Sequence, residues 1–116
     1  MNSLRNRVYL IGNLGADPEV KELESGRSMA KMSLATSETY KNTEGKKVTE
    51  TQWHNLVVWG PLSKTVGKYL KKGSEIAIEG KLVHRKFDDK EGTKHYVTEV
   101  VVNEFLMVGA RTEAKN

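Results

Sequence analysis

The chain has no cysteine, only two prolines and only two tryptophans in 116 residues. Without thiols it has neither a disulfide framework nor thiolate chemistry. Its three histidines are scattered, which argues against a structural metal site. No run of about 18 apolar residues occurs, so a transmembrane helix is excluded and no membrane partner is expected. The opening MNSLRNRVYLIGNLG is basic, but Arg5, Asn6, Arg7, Gly12 and Asn13 break its apolar run, unlike a secretory leader. These absences predict a soluble bacterial cytoplasmic protein, with an organellar origin left open because transit peptides are removed. The fold must then be held by packing and hydrogen bonds alone.

A length of 116 residues supports one core and hardly two. Acidic residues are fewer than basic ones, 15 Asp+Glu against 19 Lys+Arg, and the formal charge of +4 favours an anionic partner without naming it. Strand patterning dominates. Val8 and Leu10 alternate with Arg7, Tyr9 and Ile11 before a Gly12–Gly15 turn. From Ser28 to Tyr40, Ala30, Met32, Leu34 and Thr36 form one row, and Met29, Lys31, Ser33 and Ala35 the other. A polar loop is expected over Lys41–Val48. In TQWHNLVVWG, strand alternation puts Trp53, Asn55, Val57 and Trp59 on one face and His54, Leu56 and Val58 on the other. That strand therefore has a core side that uses neither indole.

Gly60-Pro61 opens a helix with Leu62, Val66, Tyr69 and Leu70 at helical spacing, Tyr69 on its buried side. Gly73 is expected to stop it, which puts Lys71 and Lys72 in the last turn, where they complement the helix dipole. Ile76 and Ile78 then alternate with Glu75, Ala77 and Glu79. Lys81–Phe87 and His95–Val108 form a long projecting hairpin around Asp88–Gly92. Five principal strands with a helix after the third predict an all-β small barrel, because so short a sheet must cover its apolar face and hide its edges. Such barrels present loops and one curved surface to oligonucleotides.

The segments VYLIGNLGADPEV (8–20), SLATSETY (33–40), TQWHNLVVWG (51–60), YLKKGSEIAIEGKL (69–82) and HYVTEVVV (95–102) resemble, in order, the bacterial single-stranded DNA-binding protein family. The resemblance implies an oligonucleotide-binding (OB) barrel over 1–108, followed by a short polar extension, 109–116. It implies single-stranded DNA as partner, no cofactor, no catalysis and a nucleoid-associated location. Carried over by position, the stacking rings are Tyr40, Trp53, Trp59 and Phe87, three of them changed in identity from the best-known form. Aromatic character survives at all four, and any ring can stack on any base. His54 corresponds to a histidine that joins barrels into a homotetramer, with packing inside one chain as the alternative. Tyr9 and Tyr96 read as packing or edge residues.

Stacking needs cations that displace counterions from the DNA backbone. Grouping around the rings selects Arg7, Lys31, Lys41, Arg85 and Lys86, with Lys46, Lys47, Lys71 and Lys72 as secondary choices; Asn55 offers a neutral polar contact. The ending GARTEAKN departs from the family's long tail with its acidic-hydrophobic tip. If native, it implies that tail-mediated recruitment of replication and repair proteins is absent or altered; if shortened, only the DNA-binding core is present. Two other readings use the same rings, an RNA-binding OB protein and a protein-binding accessory of replication restart. An enzyme is disfavoured, because Asp17, Glu19, Asp88, Asp89 and Glu91 lie in turn-like segments with no convergent nucleophile or metal pattern.

Overall fold

The structure is a computed structural model that describes residues 4–108. The extension 109–116, and with it the departure from the family's tail, lies outside the described residues. Strands β1 (Val8–Leu14), β2 (Glu19–Glu22), β3 (Ser28–Lys41) and β4 (Lys47–Trp59) are followed by helix α1 (Pro61–Tyr69), then β5 (Glu75–Asp88) and β6 (Lys94–Met107). Alternation sets their inner faces. Ala30, Met32 and Leu34 of β3, Leu56 and Val58 of β4, Ile76 and Ile78 of β5, and Val100 and Val102 of β6 are buried in one cluster.

The strand order is β1-β5-β6-β4-β3-β2, and β1 also reaches β3 through Asn13–Ala35 and Leu14–Leu34. That return closes β1, β3, β4, β5 and β6 into the expected five-stranded OB barrel, in which paired neighbours replace open edges. Helix α1 follows β4, the third principal strand, and sends Val66 and, just past its end, Leu70 into the core. Closure forces strands into near contact at two glycines. A Cβ on Gly12 would collide with the Ala35 carbonyl oxygen, and one on Gly80 with that of Val101. Gly80 also sits at the register shift where β5 bends against β6.

Three local expectations are corrected, and one strand is unanticipated. The strand β2 has no apolar alternation to announce it; all four of its residues are exposed, and pairing with β3 holds it in place. The predicted loop over Lys41–Val48 shrinks to 42–46, because the β3–β4 ladder continues to Lys41–Lys47 with side-chain bonds Ser37–Thr51 (3.2 Å) and Thr39–Thr49 (3.1 Å). Asn42 Oδ1 closes the turn by accepting from the N–H groups of Glu44 (2.9 Å) and Lys46 (3.0 Å). The helix ends at Tyr69, before Gly73: Leu70 is already extended, with ψ of 151°. Lys71 and Lys72 therefore lie beyond the last turn, where Lys68 sits instead. Finally, Tyr69 is 56% exposed beneath Lys68, because Ser63 and Val66 make the buried stripe.

Replacing Gly12 with alanine should cost about 1–3 kcal/mol, the usual range for overpacking a tight site. A urea melt reads the loss as a lower midpoint. An unchanged midpoint would show that β1 and β3 do not approach as closely as described.

Candidate nucleic-acid interface

Strict alternation puts Trp53, Asn55, Val57 and Trp59 on the outer face of β4, opposite Ala35, Ser33, Lys31 and Met29 of β3. Across the parallel β4–β6 pairing this face continues to Glu99, and from there across the β5–β6 ladder to Val97, Arg85 and Phe87. Two open clefts lie along it. One, of about 570 Å³, is lined by Ala16–Glu19, Lys31, Met32, Ser33 and Asn55. The other, of about 270 Å³, is lined by Lys31, Met32, Asn55, Arg85, Phe87, Val97 and Glu99 among others. Because Lys31, Met32 and Asn55 line both, the clefts form one trough on the barrel surface. An open channel of this kind suits an extended polymer better than an enclosed small molecule.

Trp53 is 61% exposed, so its indole is free for contact. Its ring lies over Gly15, where a Cβ would come within 2.5 Å of it. The absence of a side chain at Gly15 thus lets the indole come into contact with the β1–β2 turn. Trp59 is half-buried and carries the Arg27 guanidinium 4.4 Å from its ring centroid, a cation–π contact. Phe87 is 46% exposed near the tip of the β5–β6 hairpin. Tyr40 is separated from these rings. It pairs with Val48, which puts it on the ribbon face of His54 rather than that of Trp53, and its hydroxyl donates to Glu50 Oε2 (3.3 Å).

The cations divide by their partners. Lys31 is exposed, lines both clefts and has no ion pair among the described residues. Lys41 and Lys47 face each other across the ribbon and prolong the Trp53 face beyond the Ser and Thr ladder. Arg85 reaches the trough but is forked onto Glu99, with Nε–Oε1 at 3.1 Å and an Nη–Oε2 contact of 2.9 Å. Hydrogen bonding to Glu99, then its charge, raises the Arg85 pKa further. Lys86 alternates to the opposite side, facing Tyr96. Arg7 lies away from the trough, paired with Glu79 at 2.7 Å beside exposed Tyr9 and Ile11. In the turn regions, Lys46 belongs to the β3–β4 turn, Lys71 N–H donates to Ser74 Oγ (3.0 Å), and Lys72 N–H donates to Asp17 Oδ1 (2.8 Å).

His54 is half-buried and shares a 2.9 Å hydrogen bond with Thr36 Oγ1, so its ring already has a partner within the chain. Among the described residues no cluster of three or more His, Asp or Glu side chains is arranged to hold a metal ion. Three contributors escaped the sequence reading. Arg27 precedes β3, where no alternation marks it; Glu99 reads as one acid in an apolar strand until Arg85 is paired with it; and His95 gains meaning only opposite Phe87.

The sequence matches the Single-strand binding protein family over residues 5–108. It is 43% identical over 109 residues to Single-stranded DNA-binding protein 1 of Xylella fastidiosa, spanning 93% of this chain and 80% of that protein. With Single-stranded DNA-binding protein 1 of Chlorobaculum tepidum it shares 47% over 107 residues, and with the Single-stranded DNA-binding protein of Neisseria meningitidis 41% over 108. The matches cover 66% and 62% of those two proteins, so the chain spans less than two thirds of their length. A Plasmodium falciparum SSB solved in complex with ssDNA superposes with a TM-score of 0.81 at 30% identity, covering 93% of this chain and 99% of that one. The match covers the whole barrel, from the residues before β1 to the end of β6, and the chain accordingly belongs to the single-strand binding protein family.

Proposed function

We propose that this protein binds and protects single-stranded DNA without regard to sequence, serving replication, repair and recombination in the bacterial cytoplasm. The observation that carries this reading is the trough whose two clefts meet at Lys31, with Phe87 lining one of them and the exposed ring of Trp53 on the same outer face. Bases stack on Trp53, Trp59 and Phe87, each contact worth about 1–3 kcal/mol and tolerant of base identity. Lys31, Lys41, Lys47 and Arg27 neutralise phosphates along the path, and Asn55 supplies a neutral hydrogen bond. Arg85 contributes less charge than an unpaired arginine, because Glu99 already offsets it. Tyr40 serves as an outer contact on the ribbon. Duplex DNA binds more weakly, since paired bases withhold their faces.

The working form in this proposal is a homotetramer. Tyr9, Ile11 and Leu106 are 70%, 62% and 68% exposed. All three lie on the outer face of β1, β5 and β6, as the Tyr9–Glu79 and Ala77–Leu106 pairs show. An apolar sheet face of this kind supports burial against further copies better than His54 does, whose ring is bonded to Thr36. Linking several barrels to one strand raises the effective concentration of each later contact, so modest sites yield tight binding.

Titrating intrinsic fluorescence with long oligothymidine over a salt series, with complex mass from light scattering, tests this. Trp53→Ala should lower affinity by about 1–3 kcal/mol, and Gly15→Val should reproduce part of that loss by lifting the indole from its seat. Full affinity in both variants would remove Trp53 from the path. Lys31→Ala should flatten the slope of log K against log salt by about 0.7, the expectation for one phosphate on a single strand, whereas Asn55→Ala should leave it unchanged. A light-scattering mass of one barrel, together with tight binding, would refute the tetramer alone.

A further inference from the structure

Phe87 has one face already occupied. It lies directly opposite His95 in the β5–β6 ladder, and the two rings stack with centroids 5.2 Å apart and planes 19° from parallel. His95 is itself held from behind: its Nε2–H donates to Asp89 Oδ2 at 2.9 Å. The other oxygen of that carboxyl accepts from the N–H groups of Glu91 and Thr93, both at 2.9 Å, and so shapes the hairpin turn. These bonds, the one from His95 first, keep the Asp89 carboxyl ionised to lower pH than usual. One carboxylate thus organises the turn and fixes the imidazole, and the imidazole fixes the phenyl ring.

An exposed phenylalanine near a hairpin tip would otherwise sample several rotamers, and ordering it on binding costs affinity. We propose that His95 is a positioning residue for strand binding, whose imidazole, clamped by Asp89, backs Phe87 so that the phenyl ring offers a single preorganised face to one base. This rests on the reading of Phe87 as a stacking platform. In this arrangement a base stacked on the free face completes a column of imidazole, phenyl and base, and the offset imidazole stands where a second base would otherwise pack. It also gives the smaller phenyl surface a rigidity that the hairpin backbone alone does not supply.

The test uses oligothymidine affinities of the intact chain, with thermal melts, for His95→Ala, His95→Phe, His95→Gln, Phe87→Ala and the double variant Phe87→Ala/His95→Ala. His95→Ala should weaken binding about 2- to 10-fold, the range for leaving one side chain to be ordered on association. His95→Phe restores the backing ring and should recover most of that loss. His95→Gln can bond Asp89 but has no ring, and should stay as weak as alanine. In the Phe87→Ala background, losing His95 should cost nothing further. Equal losses in both backgrounds, or rescue by glutamine but not by phenylalanine, would overturn the proposal. Undiminished binding by Phe87→Ala would remove the platform on which it depends, and failure of the unaltered chain to bind oligothymidine would overturn the functional reading as well.

Discussion

The unslipped ladder between β3 and β4 is the constraint on which the rest depends. It runs from Met29–Trp59 to Lys41–Lys47 without a bulge, so every side chain along it keeps its face. A slip of one residue would turn Leu56 and Val58 outward and bury Trp53 and Trp59. The apolar row packs against β5, β6 and α1, and burial of that row holds the register. The ring-bearing face is thus a consequence of core formation, because the same alternation that hides leucine and valine leaves the indoles outside.

Closure of the barrel adds the second dimension. Phe87 is far from Trp53 along the chain, and they come onto one surface only because β6 pairs with β4 on one side and β5 on the other. The floor of the trough is then set by charge as much as by shape. Glu99 is buried there and forks Arg85, which fixes the guanidinium and reduces the net positive charge. Lys31 carries unpaired charge at the centre among the described residues. In the proposed binding mode, affinity for a polyanion then depends on a few well-placed cations more than on the formal total of +4.

Much of the fold was legible because its signals are local. Alternation in 28–36 and 53–59, Gly60-Pro61 before α1, and Asp89 and Gly92 in the hairpin turn each act over a few residues. The elements misread were those formed by pairing rather than pattern. Strand β2 is exposed throughout, and Lys47 and Val48 read as the end of a polar loop, yet both segments pair with β3. Tyr69 shows a different limit. Helical spacing offers two adjacent stripes, and packing of Val66 and Ser63 selects the one that leaves the tyrosine outside.

Among the site residues, the sequence by itself determined that Trp53 and Trp59 share a face with Asn55, since strand periodicity allows nothing else. It also carried the family through an ordered set of segments. Tertiary structure alone decided which charges stand free. Arg7 and Arg85 look like Lys31 in the sequence, but the two arginines form ion pairs with Glu79 and Glu99, whereas Lys31, although Glu19 stands opposite it in the β2–β3 ladder, makes no ion pair among the described residues. It also put Tyr40 on the face of His54, laid Arg27 on Trp59 and set His95 behind Phe87. The physical reason is common to all of these: strand period is a property of neighbouring residues, whereas the partner of a charge or a ring depends on which distant strand the closed barrel brings alongside.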